Sequence, residues 1–372
     1  MKTYRPTLHF EVLSNPEFLS AGTAIVDLVS PSRVLIGSQP TQAGRLAASA
    51  LQSVYSWVCP TKIMHTNTYS SELAKLVANA MLAQRISSIN SISAICEKTG
   101  ADIQEVSKAV GADYRIGAQY LKAGVGFGGS CFGKDIRSLV YLAETLGLPE
   151  VADYWQQVLK INEWQRTRFA RKVVQRLNGT LIGKKITILG YAFKKGTDDT
   201  RESPALEAIR ILLEDTPREI AVFDPYCDPN VVRDEIGRLC GTEILRENGG
   251  PVEIYGDVYE ACSQGHAVVI MTDCDEFKNT TSTSASMPDK IHSSIGSYEE
   301  PDCEDDCSAC VIDKDKAAKR LIGNERLDWA RIAYHLNKPR WIFDGRNVLN
   351  MAEIHKLDVR VEGIGSVGWS GL

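Results

Sequence analysis

No stretch of the chain approaches the roughly 18 consecutive apolar residues that a membrane span requires, and Met1 to Phe10 carries two basic residues but no apolar core. A membrane partner and an export signal are therefore not expected, and the sequence reads as cytoplasmic. A long basic tract is also missing: the formal net charge of -5 is spread along 372 residues, which argues against nucleic acid as a partner. The ten cysteines are irregularly spaced, so they read as reduced thiols and not as a disulfide framework. Cys303, Cys307 and Cys310 have spacings that could seat zinc, but a fourth ligand is not evident nearby, and no metal is expected.

What is present is a soluble globular composition, 44% hydrophobic and 24% charged, enough for about two or three domains. Over residues 1–66, "FEVLS" and "RVLIGS" read as strands and "QAGRLAASALQSVYSWV" as a helix. Two strands and a helix do not close a doubly wound sheet, so this part is expected to be the remnant of a larger domain.

From Ser70 to Cys96 the residues Leu73, Leu76, Val77, Ala80, Met81, Ile86, Ile89 and Ile92 recur at helical spacing behind Thr68, Ser70 and Ser71, which can cap. Further helical stretches follow, making 67–178 a helical central block suited to subunit contacts or, more plainly, a linker domain. After Gly183, strands "KKITIL", "EIAVF", "HAVVIM", "RWIFD" and "VRVEG" alternate with helices, which predicts a parallel nucleotide-binding sheet over 179–372. The fold class is thus α/β: a partial N-terminal Rossmann remnant, a central long-helix block, and a C-terminal Rossmann-like domain. Ligands in such sheets sit beyond the carboxyl ends of the strands, here Tyr191 to Arg201, Asp224, and Asp344 to Asn347. Residues 278–317, Ser/Thr-rich and then acidic, read as a disordered surface insertion.

The most informative stretch is "LKAGVGFGGSCFGKD". Its glycines permit positive φ and close approach to a ligand. Ser130 is expected to cap a helix that starts with Cys131, where the positive end of the helix dipole favours thiolate. The alternative is a Gly-rich turn with a buried structural cysteine. Asp135, four residues on, shares the helical face of Cys131 and can orient the thiol or a water. Lys75 and Asn79 share a face of the long helix and could hold an oxyanion, or could simply be a solvated stripe. Glu17 follows Asn15 and Pro16 in a loop. Lys194, Lys195 and Arg201 crowd positive charge into a strand-to-helix turn suited to pyrophosphate, with a solvent-facing turn as the plain alternative.

"LSNPEF", "SSELAKLVANAMLAQRISSINSISAICEKTGAD", "RIGAQYLKAGVGFGGSCFGKD", "YWQQV", "FKKGTDDTRES" and "IFDGR", in this order, resemble the UDP-glucose 6-dehydrogenases of the UDP-glucose/GDP-mannose dehydrogenase family. The resemblance implies an NAD-dependent two-step oxidation of UDP-glucose to UDP-glucuronate through a cysteine thiohemiacetal and thioester. It implies Cys131 as nucleophile, Glu17 as general acid/base, Lys75 and Asn79 as stabilisers of the oxyanion and water, and Asp135 as an aid to water and thiol. To the sugar nucleotide it assigns Phe18, Leu19, Lys122, Gly124, Val125, Gly126, Phe127, Gly128, Phe193, Lys194 and Arg346, with Arg115 arriving from a neighbouring subunit. Cys131, Lys134 and Arg201 would face NAD. Homo-oligomers, from dimer to hexamer, are implied as well.

Two departures matter. Members of the family begin with a βαβ unit bearing GxGxxG, which this chain does not display, and Ala21 stands where they usually carry a glutamate. They leave a second expectation beside the enzyme: a catalytically silent sugar-nucleotide-binding subunit, alone or assembled with a full-length relative, or a truncated gene model lacking NAD binding.

Overall fold

The computed structural model describes residues 10–279 and 326–366. Beyond its first two residues, the insertion expected at 278–317, with its three cysteines, lies outside them. The chain divides into two compact units, one within Met1–Leu181, Tyr191–Thr216 and Ile364–Val367, the other within Ile182–Gly190, Pro217–Gly363 and Gly368–Leu372.

The first unit opens with α1 (Ala24–Val29), β1 (Val34–Ser38), α2 (Gln42–Val54) and β2 (Ile63–Asn67). β1 and β2 pair in parallel, Val34 opposite Ile63 through Ser38 opposite Asn67. The expected "FEVLS" strand does not form. Only Ser14 bridges to β1, at Gly37, and the Asn15 side chain donates to the Leu35 carbonyl, so one residue pair and an amide side chain replace a ladder. β2 was not foreseen, because "IMHTN" is short and carries His65 among polar neighbours.

α3 (Thr68–Thr99) runs 32 residues. Its cap is Asn67, whose side chain accepts from the Ser70 N–H, so Thr68, Ser70 and Ser71 lie inside the helix and do not precede it. Gly100 ends it in the left-handed conformation. The buried stripe of α3 is made of small and polar residues, Ala80, Ala83, Ser87, Asn90, Ser93 and Cys96, spaced three and four apart. Several of the large apolar residues at helical spacing are exposed, Leu73, Met81 and Ile92 among them. The small stripe admits α5 (Phe132–Thr145) and α6 (Pro149–Arg176) at close range, and Ala80, Ala83, Ile136, Leu139, Val158 and Leu159 share one core. Each of the Ile, Leu and Val side chains stabilises by about 1.5–3 kcal/mol on burial, more than the helix preference of an ordinary residue. α4 (Ile103–Gly111) sits between α3 and the glycine loop in sequence, and α7 (Pro204–Leu213) packs on α6.

The second unit is a six-stranded parallel sheet in the order β5-β4-β3-β6-β7-β8. The strands are β3 (Lys185–Leu189), β4 (Glu219–Phe223), β5 (Val252–Ile254), β6 (Ala267–Ile270), β7 (Trp341–Asp344) and β8 (Arg360–Gly363). The helices among them are α8 (Pro229–Cys240), α9 (Val258–Cys262), α10 (Trp329–His335) and α11 (Met351–His355). Strand order reverses between β3 and β6, which creates a doubly wound switch point and a crevice beyond their carboxyl ends. There Gly190 has φ +90°, and a Cβ on it would overlap the Thr272 side chain. All five strands read from the sequence are present; β5 and α8 are additions to that reading.

Candidate active site

The loop Ala123 to Gly129 is buried along its whole length, yet Cys131 at its end is exposed. Burial of a loop demands a partner for every backbone polar group, and here helices supply them. Gly124 N–H donates to Asn90 Oδ1 at 2.9 Å, and Gln165 Nε2 donates to the Gly124 carbonyl at 2.9 Å. Phe127 N–H donates to Asn162 Oδ1 at 2.9 Å, while Asn162 Nδ2 and Arg166 donate to the Phe127 carbonyl. Val125 and Phe127 point their side chains inward, so what they can offer a ligand is backbone. Gly129 N–H donates to the Arg201 carbonyl at 3.0 Å, with the Phe193 ring where a Cβ would stand.

Ser130 is not the helix cap. Cys131 holds that position itself, φ -96° and ψ -55°, α5 begins at Phe132, and the Ser130 hydroxyl lies 3.9 Å from the thiol sulfur. The cysteine backbone carbonyl accepts the Asp135 N–H at 2.9 Å, which puts the thiol and the Asp135 carboxylate one turn apart. Asp135 is buried, and its Oδ2 accepts from Asn79 Nδ2 at 2.6 Å. One turn earlier on α3, Lys75 Nζ donates to Glu17 Oε1 at 3.0 Å and to the Glu17 backbone carbonyl. Both side chains are thereby tied to carboxylates.

Glu17 reaches this position because the segment before it is pinned: Ser14 bonds to Gly37 of β1 and to Ser71 of α3. Partial burial raises its carboxyl pKa, but bonds from Lys75 and from the Leu19 N–H at 2.6 Å, with Lys134 nearby, more than offset this and leave it below the ordinary range. Lys134 also lies 3.5 Å from Asp135. The Phe18 ring stacks under the Arg33 guanidinium at 3.8 Å and has Lys75 Nζ 5.3 Å from its centre.

The segment leaving Tyr191 lies beside these residues within the same unit. Lys194 Nζ donates to Ser20 Oγ at 2.9 Å, and burial lowers its pKa against the pull of Asp27. Arg201 is clasped by Asp199 at 2.7 Å, which raises its pKa, and Cys131 is close enough to add to that effect. Lys122 is exposed just before the glycine loop. Arg115 folds back on Asp113 at 2.6 Å with three quarters of its side chain exposed, so it joins none of these groups within its own chain. Arg346 belongs to the second unit. Its Nε donates to the Met271 carbonyl at 2.7 Å beyond β6, and buried Asp344 organises its loop by accepting from the N–H groups of Arg346, Val348 and Leu349. The structure thus joins Glu17, Lys75, Asn79, Asp135 and Cys131 through contacts and single helical turns.

Asn90, Asn162, Gln165 and Arg166 were missed by sequence reasoning. Polar residues in helix interiors read as a wet face, and the usable signal was the three-and-four spacing of Asn162, Gln165 and Arg166 beside buried apolar residues of α6, Val158, Leu159, Phe169 and Ala170.

Three family models match: the central domain of the UDP-glucose/GDP-mannose dehydrogenase family over 69–164, its UDP binding domain over 187–294, and its NAD binding domain over 1–58. UDP-glucose 6-dehydrogenase from Drosophila melanogaster is 42% identical over 97% of this chain and 66% of its own length. UDP-glucose 6-dehydrogenase 1 from Oryza sativa subsp. japonica is 42% identical over 97% of this chain and 67% of its own, and the Bos taurus enzyme 45% over 97% and 64%. The chain therefore spans about two thirds of the length of these curated relatives. A solved UDP-glucose dehydrogenase from Pyrobaculum islandicum superposes with TM-score 0.62 at 34% identity, covering 72% of this chain and 56% of that one. A UDP-D-ManNAc dehydrogenase from Pyrococcus horikoshii, 21% identical, has TM-score 0.65 over 96% of this chain and 66% of its own, a likeness of fold.

Proposed function

We propose that this chain, which belongs to the UDP-glucose/GDP-mannose dehydrogenase family, oxidises the C6 alcohol of UDP-glucose to the carboxylate of UDP-glucuronate in two steps, with Cys131 as nucleophile. The observation that carries the reading is an exposed thiol one helical turn from a buried carboxylate, itself bonded to Asn79, with Lys75 one turn earlier on α3 and paired to an ionised Glu17.

The chemistry follows from these groups. Cys131 Sγ attacks the C6 aldehyde, forming a C–S bond and an oxyanion that the Lys75 ammonium and the Asn79 amide are placed to hold. A carboxylate with a lowered pKa is a base at neutral pH. Glu17 therefore takes the proton of the water that attacks the thioester carbon, and becomes an acid only after that transfer. Asp135, fixed by Asn79, orients the same water. The C–S bond then breaks, Cys131 leaves as thiolate and the carboxylate product forms. Phe18, Leu19, Lys122, the backbone of Gly124 to Gly128, Phe193, Lys194 and Arg346 bind the sugar nucleotide, with Arg115 offered to a neighbouring copy.

NAD, if bound, would supply the hydride acceptor that the two oxidations of C6 require. Lys134 and Arg201 beside Cys131 suit its reactive end. A phosphate cradle is not found among the described residues: the spacing of Gly124, Gly126 and Gly129 fits GxGxxG but follows no strand, and the turn after β1 leads into a helix whose Thr41 hydroxyl already accepts the Gly44 N–H. The match of the NAD-binding model over 1–58 favours the enzyme over the silent subunit.

Met81, Ile92 and Ile95 are exposed on α3, with Ser88 continuing the same stripe at coiled-coil spacing. This supports pairing of two copies through α3. No described helix is long and apolar enough to cross a membrane, and we assign the protein to the cytoplasm. The test is absorbance at 340 nm: UDP-glucose and NAD should yield two NADH per sugar, and none from the purified chain would remove the proposed activity.

A further inference from the structure

The glycine loop is held by two helices, but one residue does more than the others. Asn162 is 4% exposed in the middle of α6. Its carboxamide accepts from the Phe127 N–H at 2.9 Å and donates to the Phe127 carbonyl at 3.0 Å, pairing with a residue 35 positions away as a neighbouring strand would. Gly126, at φ +100°, leaves the space that this carboxamide fills, and a Cβ there would overlap Asn162 Oδ1. Arg166, one turn on, reaches the same carbonyl, and burial lowers its pKa. Aspartate, isosteric at position 162, would keep the acceptor, lose the donor and set a carboxylate against the Phe127 carbonyl.

A buried loop needs its backbone satisfied wherever it lies, so hydrogen bonding alone does not separate a structural from a functional role. Location does. Phe127 is four residues before Cys131, and its ring packs edge-on to Phe132, the first residue of α5, at 5.6 Å between centres. A shift of the Phe127 backbone moves the start of the helix that carries the thiol. It also moves the main chain that the proposed reading gives to the sugar nucleotide.

We propose that Asn162 is a positioning residue: its pairing with Phe127 sets both the reactivity of Cys131 and the affinity of the loop for a UDP-sugar. The second half of this inference rests on the reading above; the first does not. The experiment compares Asn162→Asp with Ser87→Ala, which deletes a buried bond between α3 and α6, Ser87 Oγ to the Val158 carbonyl at 2.8 Å, without touching the loop. Two quantities are read. One is the rate of alkylation of Cys131 by iodoacetamide, mapped by mass spectrometry and divided by that of exposed Cys59 in the same molecule. The other is the dissociation constant of UDP-glucose by calorimetry. Asn162→Asp should change the alkylation ratio severalfold and weaken UDP-glucose by about tenfold, the effect of losing one buried bond, while Ser87→Ala lowers only the melting temperature. Should Asn162→Asp fail to fold, Arg166→Met removes the second donor to the Phe127 carbonyl and should shift both readouts in the same direction. The inference is overturned if the ratio in the folded variant stays within twofold of Ser87→Ala. A wild-type chain that does not bind UDP-glucose would refute the substrate reading instead, and the alkylation ratio would still decide the role of Asn162.

Discussion

Two carboxylates in the helical unit are built alike and serve different ends. Glu17 receives an ammonium at 3.0 Å from Lys75 and an N–H at 2.6 Å from Leu19. Glu97 receives Arg168 at 2.6 Å, Lys172 at 2.9 Å and the Gly365 N–H at 2.9 Å. Burial pushes both pKa values up, and the cations and amide donors bring both below the ordinary range. The difference lies in exposure: the Glu97 side chain is 14% exposed and that of Glu17 is 58%. Glu97 is largely enclosed by its donors and works as a clasp, and Arg168 extends it to Gln165, which holds the Gly124 carbonyl. Glu17 keeps a side open to solvent beside an exposed thiol. Pairing chemistry alone does not mark a reactive carboxylate; an open face next to a nucleophile does.

The contrast can be tested by removing each part in turn. The largest effect is expected outside both pairs: Cys131→Ser should lower NADH production by on the order of a thousandfold or more with the melting temperature unchanged, since an exposed thiol contributes little to packing. Next comes Glu97→Gln. It removes the negative charge that Arg168 and Lys172 share at 2.6 Å and 2.9 Å, and urea unfolding should show a loss of about 3 kcal/mol. Glu17→Gln should reverse that pattern. Screening by solvent holds its cost below about 1 kcal/mol, whereas activity falls about a hundredfold. If Glu17→Gln destabilised as strongly as Glu97→Gln and left turnover intact, the division between clasp and base would be wrong.

How far the sequence foretold this can be judged from particular residues. The parallel strands after Gly183 were legible because continuous apolar runs such as "ITIL" and "AVVI" alternate with amphipathic helices, and the structure has them as β3 and β6. That Cys131 and Asp135 lie one turn apart at a helix start was legible from their spacing and from the glycines before them. Illegible were features decided by tertiary contact. "FEVLS" has strand composition, yet Ser14 alone finds a partner on β1. Ser130 has the composition of a cap, but the chain turns one residue later. Helical spacing alone did not say which side of α3 is buried: Leu73, Met81 and Ile92 are exposed while Ala80, Ala83 and Ser87 are buried, because three packed helices demand small residues at their crossing. Asn162 was missed for a related reason: its spacing with Gln165 and Arg166 marks a buried polar stripe, but what that stripe serves shows only when the loop is in view.

The smallest expected effect concerns how the two carboxylates respond to acid and salt. Both have pKa values lowered on folding, so each stabilises above its unfolded value, about 4.3 for a glutamate, and that stability is lost as pH falls through the folded value. The slope of unfolding free energy between about pH 5 and pH 3 should therefore flatten in both glutamine variants, and more in Glu97→Gln. Salt separates them. At 1 M ionic strength the screening length falls to about 3 Å, which weakens an exposed pair and barely reaches an enclosed one. The share of the slope due to Glu17 should shrink by a few tenths of a kcal/mol in 1 M NaCl, while the share due to Glu97 persists. Equal salt sensitivity of the two would mean that Glu97 is as open to solvent as Glu17, and the clasp would have to be reassigned.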